Sequence, residues 1–468
     1  MLAAAVLTLL LAGEAPHIHS ISDISHEFTF YMDGRFFQQY IGPERGADAR
    51  NWGTLYKLDL SNVNLLVLCS GPGPVPYSRR SIRKVQDFVR SGGAALIMSD
   101  ASGTKNDAEL PIQRLALAFG ARFSRTPAKL PCVTAASVGA ARVECRPGGT
   151  LSLSGDWDVL VQDSANQPMM ALKQEGKGNV LVAVRGLFGQ QPDARDPINA
   201  EWISPLLQRI VANRPVDPSR PPQGQFAELT RKLDGLTVEF NEGTKPFAEA
   251  IAREYFVVRK ELCEITGVEP SPGTLTNLLM LPTGGGGFSS GDRIGIGAWW
   301  GGYPKNRYPM IELIGHEAGH SWVLPHPEPV WNEPIATYLG IQVGKRLGMP
   351  EAEETLRRTI EAGRKLDPDF KSVDISAPNT AYAALWGKSF WIFEELERMH
   401  GPDAMAKYFR AKRKWAPAQR ARYTLDDCVA VWSLAVGKDL FPWFREHGLP
   451  VDASRTDLAT QIGKLLGT

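Results

Sequence analysis

The sequence predicts an α/β half followed by an α+β half that ends in helices. Three observations predict this fold class. Strand-like and helix-like stretches alternate from Ile21 to Pro215, as they do in domains with a mainly parallel sheet. A polar, proline-rich stretch, RPVDPSRPPQGQ, then interrupts this pattern and is typical of a linker. After Gly348 the apolar residues recur largely at helical spacing.

Length and charge limit the classes of function. At 468 residues the chain is too long for one ordinary core, so two or three domains are expected. The formal net charge is +1, with 52 Lys and Arg against 51 Asp and Glu. This balance gives no basic surface for a nucleic acid or an anionic membrane, so we expect neither as a partner.

The first fifteen residues, MLAAAVLTLLLAGEA, form an apolar run of signal-peptide length that is too short to span a bilayer. We predict a signal segment over residues 1–20 and a secreted or periplasmic protein without a membrane span. A buried N-terminal strand or helix is the alternative, because the run lacks a positive n-region. The five cysteines do not decide the compartment, since only Cys132 and Cys145 are spaced like a short-loop disulfide.

Residues 21–213 are predicted to form the first domain. NVNLLVLCS is a continuous apolar run typical of a buried strand. The helix SRRSIRKVQDFVRSGG follows it, with Ile82, Val85 and Phe88 in its apolar stripe. AALIMSD, DWDVLVQD and VLVAV are further strands. This order of elements resembles a flavodoxin-like domain of the glutamine-amidotransferase type.

The chemistry of an amidotransferase is not expected to accompany this fold. That chemistry needs a cysteine nucleophile with a histidine beside it, and no histidine occurs between His26 and His316. Cys69 ends a strand but is interpreted as a buried thiol. We therefore predict no catalytic residues in this domain unless His17, His19 or His26 folds back onto it.

Residues 214–225 are predicted to be the linker and residues 226–468 the second domain. This domain opens with the amphipathic helix KPFAEAIAREYFVVRKELCEITG and continues with the strands TLTNLLMLP and DRIGIGAWW. TGGGGFSSG, between the strands, lacks the GK[ST] ending of a P-loop and is interpreted as a flexible turn. Trp299 and Trp300 either line substrate subsites or belong to the core.

The segment from Gly315 to Gly340, GHEAGHSWVLPHPEPVWNEPIATYLG, carries the clearest chemical signal. His316 and His320 are four residues apart, so on a helix both imidazoles leave the same face. Glu317 lies between them and can take a proton from a metal-activated water without being a ligand. This is the pattern of the H-E-x-x-H zinc peptidases, and it predicts Zn²⁺ as the cofactor.

A catalytic zinc site needs a third protein ligand, and two residues compete for that place. Glu333 lies in WNEPIATYLG, which reads as the start of a helix. His326 follows His320 as in the pattern H-E-x-x-H-x-x-G-x-x-H, but Val323 stands where that pattern has glycine. A β-branched residue suits the sharp turn of that glycine poorly, so Glu333 is favoured.

HEAGHSW followed by WNEPIATY resembles the gluzincin peptidases, such as aminopeptidase N. The resemblance implies His316, His320 and Glu333 as metal ligands and Glu317 as the general base. It also implies a tyrosine from the helical half as a donor to the oxyanion, for which we predict Tyr382. The C-terminal SLAVGKDLFPWFREHGLPV is more similar to the tail of the enhancin-like, mucin-cleaving gluzincins.

We therefore expect a zinc-dependent endopeptidase whose substrates are extended or O-glycosylated polypeptides. In gluzincins, a strand in the place of Ile294 to Trp300 is a sheet edge along which such a substrate lies. No G-x-M-E-N segment precedes the metal helix, and the stretch before it offers only Asp292 to a free N-terminus. The alternatives are an aminopeptidase and a non-catalytic carbohydrate- or protein-binding protein with a vestigial zinc site.

Overall fold

The computed structural model describes residues 16–26, 35–135, 138, 143–188 and 198–466. The fold is mixed α/β, with a large sheet near the N-terminus and a helical C-terminal half, so the predicted fold class is confirmed at that level. The predicted signal segment falls outside the described residues over residues 1–15, but its last residues, Ile18 to Ser20, belong to a buried strand of the large sheet, so the predicted boundary at residue 20 is wrong. None of the helices in the described part of the chain has the length and apolar content that crossing a bilayer requires.

The strands and helices are numbered in chain order. The strands are β1 (Ile18–Asp23), β2 (Gly46–Asn51), β3 (Leu65–Ser70), β4 (Ala94–Ser99), β5 (Ala121–Ser124), β6 (Val133–Thr134), β7 (Thr150–Leu153), β8 (Asp158–Gln162), β9 (Pro168–Glu175), β10 (Gly178–Val184), β11 (Leu229–Leu233), β12 (Leu236–Phe240), β13 (Asn277–Leu281), β14 (Gly287–Ser289) and β15 (Arg293–Gly297). The helices are α1 (Arg35–Tyr40), α2 (Arg79–Arg90), α3 (Gln113–Leu117), α4 (Ala200–Val211), α5 (Lys245–Thr266), α6 (Tyr308–Val323), α7 (Asn332–Arg346), α8 (Pro350–Arg364), α9 (Tyr382–His400), α10 (Ala404–Trp415), α11 (Leu425–Val436), α12 (Phe441–Glu446) and α13 (Ala459–Leu466).

The chain divides into two compact units. The first comprises Met1–Thr230, Glu239–Pro246 and Met280–Gly284, and the second comprises Arg231–Val238, Phe247–Leu279 and Gly285–Thr468. The large sheet belongs to the first unit, and helices α6 to α13 belong to the second. Residues 214–225, the predicted linker, fall within the first unit. There the Gln225 carbonyl accepts a hydrogen bond from the Trp52 amide at 2.7 Å.

The large sheet has eight strands in the order β2-β1-β3-β4-β10-β9-β8-β6. The strands from β2 to β10 in this order are parallel, and β9, β8 and β6 extend the sheet in antiparallel pairs. Every residue of β3 and β4 is buried. Parallel strands covered on both faces have continuous apolar sequences, which explains NVNLLVLCS and AALIMSD.

A buried polar cluster lies at the carboxyl end of β1. Asp23 accepts hydrogen bonds from Asn51 Nδ2 at 2.6 Å, the Tyr77 hydroxyl at 2.7 Å and the Ser25 hydroxyl at 2.9 Å. His26 stacks on Tyr77 with ring centroids 3.9 Å apart, and burial lowers its pKa to about 4. His26 therefore folds back onto this domain. With Asp23 0%, Ser25 1%, His26 2% and Tyr77 1% exposed, a substrate has no access to the cluster.

Glycines allow helices of the second unit to approach closely. A Cβ atom on Gly340 of α7 would lie 2.4 Å from the Glu312 carbonyl oxygen of α6, and one on Gly315 would lie 2.6 Å from Gly340 Cα. No other residue leaves that space empty. The same arrangement recurs between α8 and α9, where a Cβ atom on Gly387 would lie 2.6 Å from Gly363 Cα.

The segment between α6 and α7 is held by a buried ion pair. Glu328 in this segment pairs with Lys412 of α10, and their side chains are 0% and 2% exposed. The Tyr408 hydroxyl and the Cys428 thiol also donate to Glu328, at 2.6 and 3.0 Å. Lys412 Nζ donates to the His326 carbonyl at 2.7 Å. Because a buried charge is costly without these partners, the pair fixes the course of the chain into α7.

Two local expectations from the sequence are wrong. TGGGGFSSG, interpreted as a flexible turn, contains β14, which pairs antiparallel with β15. The strand from Ile294 to Trp300, expected to be a sheet edge, is β15, which lies between β13 and β14, so β14 is the edge strand instead.

Gly340→Ala is expected to lower the free energy of unfolding by about 1–3 kcal/mol, the usual cost of overfilling a packed interior. The clash is with backbone, so no change of rotamer relieves it. Gly319→Ala is the matched control on α6, because its Cβ atom would meet Ala336 Cα at an ordinary 3.4 Å. Alanine also favours a helix over glycine by about 1 kcal/mol. Chemical denaturation measures both variants, and equal stabilities would contradict the close approach.

Candidate metal centre

α6 places two imidazoles side by side. His316 and His320 lie one helical turn apart, and their Nε2 atoms are 3.3 Å apart. The other faces of the helix are buried, with Ile311, Ile314 and Ala318 all 0% exposed. The His316 and His320 side chains keep 20% and 16% of their surface exposed. The two rings therefore share the face of α6 that remains accessible.

The Glu333 side chain, in the first turn of α7, approaches both imidazoles. Its Oε2 lies 3.4 Å from His316 Nε2, and its Oε1 lies 3.6 Å from His320 Nε2. Two ligands of a tetrahedral zinc ion, at bond lengths of about 2.0–2.2 Å, are about 3.3–3.6 Å from each other. The two imidazole nitrogens and the Glu333 carboxylate thus have the mutual spacing that one zinc ion requires.

The electrostatics suit these three groups to a cation. The contact with His316 lowers the pKa of Glu333, and the charge of His320 acts in the same direction, although burial opposes it. Burial lowers the pKa of His320, and His316 adds to this effect. Glu333 is therefore ionised and His320 neutral near pH 7, which are the forms that bind a metal ion.

Glu317 lies beside the histidines but has a different environment. The ligand atoms of His316, Glu317 and His320 lie within 4.8 Å of one another, so Glu317 is a rival to Glu333 as a ligand. Burial raises the pKa of Glu317 to about 7; His316 opposes this shift and Glu333 adds to it. Its side chain is buried, and a Cβ atom on Gly287 would lie 2.9 Å from its Oε1. We favour Glu333 as the ligand because it is ionised and contacts both nitrogens, whereas Glu317 is suited to holding and releasing a proton.

Two polar residues contact the outer nitrogens of the histidines, and sequence reasoning missed this role for both. Thr337 Oγ1 lies 3.0 Å from His316 Nδ1. Asn332 Nδ2 lies 3.4 Å from His320 Nδ1. Thr337 follows Glu333 by four residues, so helical spacing places both on one face of α7 and was the available signal.

A cavity of about 400 Å³ opens over this centre. Gly287 and Phe288 of β14 line one side, and Leu324 and Pro327 from the segment after α6 line another. Among the described residues that line the cavity, the only acidic ones are Glu317 and Glu333, and none is lysine or arginine. The cavity therefore offers an accessible cleft between a strand and a fixed segment.

His326, the rival third ligand, is directed elsewhere. Its Nε2 donates a hydrogen bond to the Pro417 carbonyl at 2.9 Å. Its ring stacks on Tyr423 with centroids 5.9 Å apart. It is not among the residues that line the cavity.

The remaining aromatic candidates also lie outside the cavity lining. Tyr382 is 68% exposed, stacks on Trp386 at 3.9 Å, and lines a separate recess of about 290 Å³. Trp299 is 8% exposed and packs against Phe247, so it is a core residue rather than a wall of the cleft. Trp300 is partly exposed but does not line the cavity either.

Comparison with protein-family models finds no match, and neither does comparison with curated proteins. Among solved structures, an M1 zinc metallopeptidase from Deinococcus radiodurans bound to a Tyr-ser-ala substrate has a TM-score of 0.32 and 14% identity, over 47% of this chain and 50% of that one. The N-terminal domain of mmIFT52 has a TM-score of 0.31 and 14% identity, over 41% of this chain and 96% of that one. A β-galactosidase from Bacillus circulans sp. alkalophilus has a TM-score of 0.28 and 14% identity, over 51% of this chain and 35% of that one. At these scores, the likenesses carry no argument about function.

Glu333→Ala is expected to abolish stoichiometric zinc binding, because it removes the carboxylate that contacts both imidazoles. His326→Ala is the matched control and should keep one zinc per chain, since His326 is bonded to Pro417 instead. Elemental analysis after gel filtration measures the zinc content of both variants. Loss of zinc from His326→Ala with retention in Glu333→Ala would reverse the ligand assignment.

Proposed function

We propose that this protein is a zinc-dependent peptidase in which His316, His320 and Glu333 hold the metal and Glu317 is the general base. The proposal is carried by the Nε2 atoms of His316 and His320, which lie 3.3 Å apart, and by the two Glu333 carboxylate oxygens, which lie 3.4 and 3.6 Å from them, beside a buried carboxylate. Zinc in such a site lowers the pKa of a bound water towards neutrality and polarises a carbonyl group.

The chain's own residues supply the proton transfers. The Glu317 carboxylate takes a proton from the attacking water and later gives it to the leaving amine. β14 shields this carboxylate, because Gly287 lies directly against Glu317 Oε1.

An extended polypeptide is the substrate that the cleft fits best. β14 is the last strand in the sheet order β11-β12-β13-β15-β14, so its outer backbone is available to pair with another strand. None of the described residues that line the cavity is a further carboxylate for a free α-ammonium group, which supports internal cleavage over aminopeptidase activity.

Two finer parts of the proposal rest on the sequence. The proposal that the protein cleaves O-glycosylated polypeptides rests on the resemblance of the C-terminal stretch to mucin-cleaving gluzincins. Trp299 gives it no support, because this residue packs in the core and offers no subsite for a sugar. The proposal that the protein is exported rests on the apolar run over residues 1–15.

Glu317→Gln is expected to retain zinc and to lose at least about 100-fold in turnover, the usual contribution of a general base. The amide keeps the shape of the side chain but cannot accept the proton. Mass spectrometry of digests of an unfolded protein measures both the rate and the cleavage positions. Retention of more than about a tenth of the activity would remove Glu317 from this role. Release of single N-terminal residues without internal cuts by the parent enzyme would instead favour an aminopeptidase.

The role of Tyr382 as a donor to the oxyanion stays a prediction. If its hydroxyl reaches the substrate carbonyl, Tyr382→Phe lowers kcat by about 100-fold and leaves KM nearly unchanged, as the loss of one oxyanion donor does. Steady-state kinetics on a peptide substrate separates the two constants. An unaltered kcat would show that Tyr382 is not a donor to the oxyanion.

A further inference from the structure

The hydroxyl of Thr337 lies at the meeting point of three groups. Its Oγ1 is 3.0 Å from His316 Nδ1, 3.1 Å from the Glu333 carbonyl oxygen and 3.4 Å from Trp386 Nε1. These groups belong to α6, α7 and α9. The hydroxyl therefore links α6, which carries two candidate ligands, to α7 and α9.

The chemistry of these groups determines the direction of each hydrogen bond. A hydroxyl has one proton to donate and can accept two hydrogen bonds. The Glu333 carbonyl only accepts, so it takes that proton, and the Trp386 indole only donates. When the hydroxyl gives its proton to the Glu333 carbonyl, His316 Nδ1 is the donor to Thr337. A neutral imidazole has one N–H, so the lone pair of His316 is on Nε2, the atom that faces His320 and Glu333.

We propose that Thr337 is the positioning residue that holds His316 in the tautomer able to bind the metal, and that Trp386 holds the Thr337 hydroxyl in place. The inference rests on the proposed metal site. Outer partners of this kind fix the ring orientation and the tautomer of a ligating histidine. The Trp386 ring is itself held by its stack on Tyr382, at 3.9 Å.

The other histidine has a less specific partner. Asn332 Nδ2 lies 3.4 Å from His320 Nδ1, a long contact, and the same nitrogen donates to Glu333 Oε1 at 3.1 Å. The contact of Thr337 with His316 is shorter, at 3.0 Å. Preorganisation of the site is therefore concentrated at His316.

Three variants of the full-length protein test the proposal. Thr337→Val keeps the side-chain shape and removes the hydroxyl, and it is expected to weaken zinc binding by about 10–100-fold. Thr337→Ser restores the hydroxyl and should recover most of the affinity. Thr359→Val is the matched control, because Thr359 Oγ1 also donates to a helix carbonyl, that of Thr355 at 2.8 Å, but lies on α8. Competition with a chromogenic chelator measures the dissociation constant for zinc.

A second measurement does not depend on zinc. In the metal-free protein, ¹⁵N NMR of the imidazoles should show His316 protonated at Nδ1, and Thr337→Val should convert this signal into a mixture of tautomers. The proposal would be overturned if Thr337→Val kept the zinc affinity and the His316 tautomer of the parent protein. It would also be overturned if Thr337→Val and Thr337→Ser lost equal amounts of zinc affinity. A parent protein with the expected His316 tautomer but no zinc affinity would contradict the proposed metal site instead.

Discussion

The site depends on how closely α6 packs against α7. His316 and His320 come from one helix and Glu333 from the other, so the distance between the helices sets the distances between the donor atoms. Gly315 and Gly340 allow this approach, because a Cβ atom on either would overlap the opposite backbone. The ion pair of Glu328 with Lys412 then fixes the segment that leads into α7.

The two acidic residues of the site have different environments. Glu333 is half-exposed and bonded to an imidazole, so it stays ionised next to two nitrogen donors. Glu317 is buried under β14, and a proton on it is less costly to retain. In the proposed function, these contrasting surroundings suit Glu333 to the role of metal ligand and Glu317 to that of proton carrier. The pattern H-E-x-x-H alone does not establish this division.

Local patterns in the sequence predicted the parts of the structure that depend on local spacing. The apolar stripe of KPFAEAIAREYFVVRKELCEITG predicted α5, which spans Lys245–Thr266. The four-residue spacing of His316 and His320 predicted that their imidazoles share one helix face. The β-branched side chain of Val323 argued against His326 as the third metal ligand. In the structure, His326 donates a hydrogen bond to the Pro417 carbonyl instead.

The features that the sequence did not predict depend on contacts between distant residues. A run of glycines has no hydrophobic period, so β14 was not distinguished from a turn, and its position over Glu317 follows from pairing with β15. The contact of Thr337 with Trp386 joins residues 49 positions apart on different helices. Likewise, Trp299 became a core residue only through packing against Phe247. Such contacts are set by tertiary structure, which the local pattern does not contain.

Anomalous diffraction at the zinc edge from crystals of the zinc-loaded protein tests the central claim most directly. We predict a single strong peak in the second unit, about 2.0–2.2 Å from His316 Nε2, His320 Nε2 and a Glu333 carboxylate oxygen. A peak bound by His326, a peak bound by Glu317 in place of Glu333, or no peak between α6 and α7 would contradict it.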